Sequence, residues 1–305
     1  TITPSNDRFP TGTVTFKIDG AAVATRTLSG NARSVLYETT FNSAGNRTVT
    51  AEFTGSGEFA DSNAIVEQNV EAATVSTLVV DTVSDANAGA CSSTPGDCSL
   101  RGAINRANAL AGHQTITFAI PGEGVHTIAP ASPLPLISGP LTIDGFTQPG
   151  SAPGTNASGA INATPLIEIN GANAGAGAVG LGFTGSSGGS VVRGLVIHSF
   201  GFGIVMDSSR NTIAGNFIGT NASGTQARGN VNSGVRLSNA SRNVIGGPNA
   251  ADRNLISGNQ AHAIDITGSA ASGNLVTGNL IGTDKTAANA LSRAIAADGV
   301  FISNA

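Results

Sequence analysis

The sequence has no tryptophan and a single tyrosine, and aromatic residues make up only 4% of its 305 positions. Exposed aromatic platforms, on which many sugar-binding proteins stack their ligands, are therefore scarce. Charge is sparse too: 15 basic and 19 acidic residues give a formal net charge of −4. No Lys/Arg run is dense enough to neutralise a row of phosphates, so we expect no nucleic acid as a partner.

Long hydrophobic runs are also missing. No segment has the roughly 18 uninterrupted apolar residues that a membrane-spanning helix needs, so the sequence predicts no membrane span. The opening segment Thr1–Pro4 lacks the charged-then-apolar layout of a signal peptide. We interpret this start as an internal position in a longer precursor.

Cysteine is limited to Cys91 and Cys98. The Pro95-Gly96 turn between them favours the Cα separation of ~4.4–6.8 Å that a disulfide requires. This predicts a disulfide and an oxidising compartment, and the alternative is a pair of buried thiols. No further Cys or closely spaced His completes a ligand set, so we expect no metal site and no cofactor.

Glycine, by contrast, occurs 41 times, and Ser, Thr and Asn are abundant. This composition favours short strands joined by tight turns over amphipathic helices, and it predicts an all-β fold. The chain is long for one ordinary domain. We expect a small β-domain at residues 1–73, followed by an elongated repeat array at residues 74–305.

Alternating strands are predicted in the first 73 residues. Val14, Phe16 and Ile18 alternate with polar neighbours and precede the turn pair Asp19-Gly20, which is typical of a hairpin. A strand at 48–53 and a closing strand at 64–70 follow at short spacing. Short strands at this spacing favour a β-sandwich.

Four segments of this region resemble bacterial Ig-like repeat domains of large surface and secreted proteins: Gly12–Phe16, Asp19-Gly20, Ala44–Ala51 and Gly55–Ser62. The resemblance implies an extracellular or cell-surface location. Members of that family have one or two further strands before the first of these segments, where this chain has about eleven residues. The predicted sandwich is therefore incomplete at its N-terminus and exposes an edge.

One helix is predicted, at about residues 99–110. Ser99 can cap it, and Leu100, Ile104 and Ala107 form one apolar stripe. The segments Cys98–Ile104 and Leu141–Gly150 resemble the Cys-Ser-Leu-Arg-Glu-Ala motif and later segments of a bacterial surface family of right-handed parallel β-helices, with Gly102 at the Glu position. The resemblance implies a helix that covers the open end of the solenoid.

The sequence repeats itself from residue 190 onward. Asn211–Asn221 returns as Asn274–Asp284, and a related unit begins at Asn243, so the units lie 32 and 31 residues apart. Each unit has short strands separated by Gly-Asn or Gly-Thr turns and cannot bury its apolar face alone. Stacked coils bury one face against the next, which predicts a right-handed parallel β-helix over residues 74–305.

Asparagines at equivalent positions of the repeats predict stacked side chains about 4.8 Å apart, in which amides hydrogen-bond along the stack. The first predicted ladder is Asn211, Asn243 and Asn274, and the second is Asn216, Asn259 and Asn279. We interpret them as structural. The nonapeptide of calcium-binding β-rolls is not present at 188–190.

An enzyme is the rival hypothesis, because many β-helices cleave acidic polysaccharides. An inverting glycosidase needs two carboxyls ~6.5–9.5 Å apart, which here means acids at equivalent positions of adjacent coils. The candidate acids are Asp207, Asp265, Asp298 and Glu168, the candidate bases are Arg193, Arg236 and Arg293, and the histidines are His113, His126, His198 and His262. No Asp-Asp pair or Gly-His-Gly appears, and we interpret His198 and His262 as solvated outward side chains.

We therefore expect a non-catalytic structural or adhesive protein of the bacterial cell surface or extracellular space. Its expected partners are copies of itself, neighbouring domains of the same precursor and surface glycans. The alternative is a polysaccharide-degrading lyase or glycosidase. The interrupted motifs at both ends favour either completion by neighbouring segments or strand donation by another copy, which would build a head-to-tail filament.

Overall fold

Short strands dominate this computed structural model, which describes residues 9–30, 32–39, 41, 44–70, 76–291 and 299–304. The chain divides into two compact units, Thr1–Ala73 and Thr74–Ala305. The prediction of an all-β fold with parallel sheets in its second part is confirmed. Each unit is described by itself below.

The N-terminal unit contains β1 (Gly12–Ile18), β2 (Ala21–Leu28), β3 (Gly45–Gly55) and β4 (Ser62–Val70). They form an antiparallel sheet in the order β2-β1-β3-β4. Asp19 and Gly20, with φ of 50° and 82°, make the tight turn between β1 and β2. The small core consists of Val14, Leu28 and Phe53. The predicted gap before β1 falls largely on residues 1–8, which lie outside the described residues.

The second unit begins with β5 (Thr77–Val80), α1 (Leu100–Ala109), β6 (Gln114–Phe118), β7 (His126–Ile128), β8 (Leu141–Asp144), β9 (Ile167–Asn170) and β10 (Val179–Phe183). It continues with β11 (Val191–Arg193), β12 (Leu195–His198), β13 (Phe202–Met206), β14 (Thr212–Ala214), β15 (Phe217–Ile218), β16 (Val235–Ser238), β17 (Val244–Gly246), β18 (Leu255–Ile256), β19 (Ile264–Thr267), β20 (Leu275–Thr277), β21 (Leu280–Ile281) and β22 (Val300–Ser303). Short 3-10 helices lie at Gly145–Thr147, Gly171–Asn173 and Ala250–Asp252.

These strands form three parallel sheets. Sheet A has the order β5-β6-β8-β11-β14-β17-β20, sheet B the order β7-β9-β12-β15-β18-β21, and sheet C the order β10-β13-β16-β19-β22. From β11 onward the strands fall in sheets A, B and C in rotation, so each coil adds one strand to every sheet. This arrangement is a parallel β-helix.

Inward side chains stack in register between coils. On sheet B, Ile169, Ile197, Ile218 and Ile256 form one column, and each is fully buried. Burying one such side chain stabilises the fold by about 1.5–3 kcal/mol. The apolar residues that a single coil leaves uncovered are thus covered by its neighbours.

The helix α1 packs against β5 and β6, the first two strands of sheet A. Ser99 caps it by accepting a hydrogen bond from the Gly102 amide at 3.0 Å, and Leu100, Ile104 and Ala107 are buried beneath it. The predicted helix therefore exists within one residue of its predicted bounds. Its apolar stripe joins the main core of the β-helix.

Candidate functional site

The two cysteines form a disulfide, with the Cα atoms of Cys91 and Cys98 4.4 Å apart. The Asp81 carboxylate accepts hydrogen bonds from the amides of Gly96 at 2.7 Å and Cys98 at 3.1 Å. The disulfide loop is thereby tied to the end of β5.

The ladder of Asn211, Asn243 and Asn274 is continuous. The Asn243 Oδ1 atom accepts from the backbone amide of Asn211 at 2.9 Å and from its side-chain amide at 3.0 Å. Asn274 Oδ1 accepts from the backbone and side-chain amides of Asn243 at 2.9 and 3.1 Å. The side-chain oxygens of Asn243 and Asn274 thus satisfy hydrogen-bond donors in the turn of the preceding coil.

The second predicted ladder was wrong at one position. Asn216 and Asn279 do stack, but the residue between them is Asn254, whose Oδ1 accepts from the Asn216 amide at 2.9 Å. Instead, Asn259 Oδ1 accepts a hydrogen bond from the Asn230 side-chain amide at 2.8 Å, and these two residues form a third ladder. The reason is register: Leu255 pairs with Phe217, so the residue before β18 aligns with the residue before β15.

A polar cluster lies on the outer face of sheet B. Glu168 on β9 pairs in register with Thr127 on β7, and His198 ends β12 beside them. The His198 Nε2 atom lies 3.1 Å from Glu168 Oε1, and the Thr127 hydroxyl donates to Glu168 Oε2 at 2.7 Å. His198 is 5% exposed and Glu168 16% exposed, so the interpretation of His198 as a solvated side chain was wrong. We call Ser199, His198 and Glu168 the serine relay.

The contacts of Glu168 favour its ionised form. The hydrogen bond from His198 lowers the pKa of the Glu168 carboxyl, with further lowering by Thr127 and by the charge of Arg228, against the opposing effect of burial. In the tautomer of His198 that donates from Nε2 to this carboxylate, Nδ1 carries the lone pair. Nδ1 lies 2.9 Å from the Ser199 hydroxyl.

Ser199 was not among the predicted site residues. It follows β12 directly, its φ is 62°, and its amide donates to the Arg228 carbonyl at 3.2 Å. The neighbouring Phe200 is buried, and its amide donates to Asn230 Oδ1 at 3.0 Å. The His-Ser dipeptide was visible in the sequence, but its contact with Glu168 depends on the register between β9 and β12.

Most of the remaining outer face of sheet B is covered by the loop 151–163. Ile161 in this loop packs with the outward residues Val196, Phe217 and Leu255. The Arg253 guanidinium holds the loop through the carbonyls of Asn156 and Gly159, at 3.0 and 2.9 Å. The serine relay therefore lies beside a covered apolar surface.

The candidate bases Arg193 and Arg236 each form an ion pair with one acid. Asp265 faces Arg236 across sheet C at 3.7 Å, and Asp144 faces Arg193 across sheet A at 3.4 Å, so each of these arginines has one acidic partner. Asp207 is exposed in the turn after β13. The candidates Asp298 and Arg293 lie outside the described residues.

The other histidines do not approach His198. The Nε2 atom of His113 lies 2.8 Å from the Thr142 hydroxyl, and the His262 ring stacks on Phe301 with centroids 4.4 Å apart. His126 is buried, and its Nε2 atom has no hydrogen-bond partner. In the part of the chain that the structure describes, no three His, Cys, Asp or Glu side chains are grouped as a metal site would require.

Residues 1–73 match the family model of the bacterial Ig-like domain, group 3. The N-terminal unit is a bacterial Ig-like domain. Domains of this kind are typical of surface and extracellular proteins, and the match covers about a quarter of the chain. A search of curated proteins found no match. No helix among the described residues has the length and apolar character to cross a membrane.

Proposed function

We propose that the chain is a structural and adhesive part of a bacterial surface or extracellular protein. The Ig-like domain supports the location, and the Cys91–Cys98 disulfide is consistent with an oxidising compartment. The resemblance of 98–150 to the Cys-Ser-Leu-Arg-Glu-Ala surface family supports the same assignment for the β-helix.

The observation that carries this proposal is the use of polar side chains for stacking. Three asparagine ladders connect the coils, and the column of buried isoleucines on sheet B is continuous from coil to coil. Each added coil therefore extends the β-helix without a gap in its core or in its turn hydrogen bonds. Such a repeat array suits a stalk or a platform for adhesion.

Sheet C offers the best adhesive surface. Arg236 lies over the Phe202 ring, 5.4 Å from its centroid, and is 38% exposed. Asp265 is its register partner, and Phe301 on β22 pairs with Asp265 and stacks on the His262 ring, which precedes β19. Planar guanidinium, carboxylate and aromatic groups together are suited to the hydroxyls and faces of a surface glycan.

A glycan array with the full chain tests this role. We expect binding to a subset of glycans that Arg236→Ala weakens at least about tenfold, because a charged hydrogen bond contributes roughly 1.5–3 kcal/mol. Arg193→Ala is the matched control, since Arg193 is 39% exposed and lies 5.5 Å from the Phe146 centroid. Equal loss in both variants, or no glycan binding, would contradict an adhesive surface on sheet C.

The alternative, a polysaccharide-degrading enzyme, makes a different prediction. Asp265 and Asp144 each face an arginine, and Glu168 lies between Thr127 and Val196 in register, so none of these acids faces another acid on an adjacent coil. We expect no new chain ends when polygalacturonate is incubated with the protein. Depolymerisation that disappears in Asp265→Asn or Asp207→Asn would establish the enzyme instead.

A further inference from the structure

The serine relay goes beyond a structural or adhesive role. We propose that Ser199 is an activated nucleophile that cleaves short-chain carboxylic esters, with His198 as its base and Glu168 as the positioning residue. Nothing in the stacking of the coils requires a hydroxyl, an imidazole and a carboxylate in this order. The three groups are nevertheless joined by contacts of 2.9 and 3.1 Å.

The geometry supplies a base for the Ser199 hydroxyl and a carboxylate that orients this base. Glu168 holds the Nε2 proton, so Nδ1 accepts the proton of the Ser199 hydroxyl. His198 is almost fully buried, which restricts its ring to this orientation. Thr127 fixes the other oxygen of Glu168 at 2.7 Å, so the carboxylate that orients the base is itself held in place.

The backbone at Ser199 is a second, independent observation. The turns that follow β15, β18 and β21 have glycine in left-handed backbone, at Gly219, Gly258 and Gly282. After β12, Ser199 has this conformation, with a φ of 62°, at a cost on the order of 1 kcal/mol or more. A serine held in a strained turn directly after a strand is also the arrangement that exposes the nucleophile in α/β-hydrolases.

The surroundings of Ser199 indicate the substrate class. The amides of Phe200 and Gly201 already donate to Asn230 Oδ1 and to the Ala178 carbonyl. They are therefore engaged and do not form an oxyanion hole in this conformation. Esters with good leaving groups and small acyl groups need the least stabilisation, which favours them over amides.

The reaction balances without a cofactor. The Ser199 oxygen bonds to the acyl carbon and its proton passes to His198 Nδ1. The carbon–oxygen bond of the ester then breaks, and the departing alkoxide takes that proton and leaves as the alcohol. Water attacks the acyl-serine, loses a proton to Nδ1, and releases the carboxylic acid as Ser199 regains its proton.

Labelling with a fluorophosphonate probe, followed by peptide mapping of the full chain, tests the proposal. We expect covalent modification of Ser199 and a burst with p-nitrophenyl acetate. His198→Asn and Glu168→Gln should slow both by about 10²–10⁴-fold. Ser209→Ala is the control, because Ser209 is a half-buried turn serine whose hydroxyl contacts the Ser241 hydroxyl at 3.2 Å.

Ser199→Gly separates reactivity from folding. Glycine relaxes the left-handed turn, so this variant should melt at or above the temperature of the unaltered protein while losing all labelling. A Glu168→Gln variant with an unchanged melting temperature but slow labelling would support positioning over a structural role. Absence of labelling, labelling only at other serines, or an unchanged rate in His198→Asn and Glu168→Gln would overturn the proposal.

Discussion

Single amide side chains connect the coils of the β-helix. Asn243 and Asn274 each accept two hydrogen bonds from the preceding coil through one side-chain oxygen. Asn211 is the first residue of this series. These donors are buried or partly buried, so they have no replacement partner in water. Loss of one asparagine affects two coil boundaries.

We predict that Asn243→Ala lowers the free energy of unfolding by about 1–3 kcal/mol for each buried donor that it leaves unpaired. Chemical denaturation of the full chain measures this. Asn173→Ala is the control, because Asn173 is exposed in a short 3-10 helix. Similar small losses in both variants would mean that the ladder contributes little.

The Asp284 carboxylate predicts a dependence of stability on pH. Hydrogen bonds from Asn289 and Thr286 lower its pKa from 3.8 to about 2. A group whose pKa is lower in the folded state stabilises the fold above the unfolded pKa, and this stabilisation is lost as the pH falls through the folded pKa.

The measurement is the difference in unfolding free energy between the unaltered protein and Asp284→Asn. We expect it to be constant above about pH 5 and to shrink steadily as the pH falls from 3.8 toward 2. A difference that grows on acidification would show the opposite sign and exclude this explanation.

Among the elements, the helix α1 packs closely against the backbone around Ala88. Gly102 is buried in its first turn, and a Cβ atom there would lie 1.9 Å from the Ala88 carbonyl oxygen. A side chain such as the glutamate of the resembled motif would therefore not fit at this position without a shift of the backbone around Ala88. Arg101 binds the Asp85 carboxylate at 3.0 Å and the carbonyls of Ser132 and Pro133, so the helix also holds two loops.

We therefore predict that Gly102→Ala destabilises the protein by about 1–3 kcal/mol or more. In an unconstrained helix the same change would stabilise by about 1 kcal/mol, so the sign of the effect is the test. Thermal unfolding followed by circular dichroism measures it. Arg106→Ala, at an exposed position of α1, should change stability by less than about 0.5 kcal/mol.

At the scale of the whole molecule, the Ig-like domain offers a surface for the assembly that the sequence predicts. Within its described residues, β2 and β4 are the outer strands of the sheet, and Ile65 and Val66 on β4 are 59% and 60% exposed. An outer strand with apolar side chains is prone to pair with another chain. Head-to-tail association of chains stays a prediction, and the outer strand β4 is the surface that we expect to take part in it.

Light scattering at increasing protein concentration checks it. We expect a mass that rises with concentration in the unaltered protein and the mass of one chain in the Ile65→Lys and Val66→Lys double variant. Val125→Lys is the control, since Val125 is 45% exposed in the other unit. Monomers at every concentration would exclude this mode of assembly.

Much of the fold was predictable from local patterns. The 31–32 residue repeat predicted stacked coils because equivalent residues must recur at the interval of one coil, and the stripe of Leu100, Ile104 and Ala107 predicted α1. Asn254 was missed because the preceding loop changes length between coils, which moves the register without a local signal. The solvated interpretation of His198 failed for a related reason, since its burial comes from neighbouring strands.

The sequence by itself determined the β-rich composition, the hairpin turn at Asp19-Gly20, the repeat interval and the proximity of the two cysteines, because each depends on residues close together or on strict periodicity. Only the tertiary structure decided which polar residues meet. Glu168 and His198 are 30 residues apart and lie 3.1 Å from each other because β9 and β12 pair in one register. A shift of one residue would reverse the faces of the strand, and no local sequence signal specifies that register.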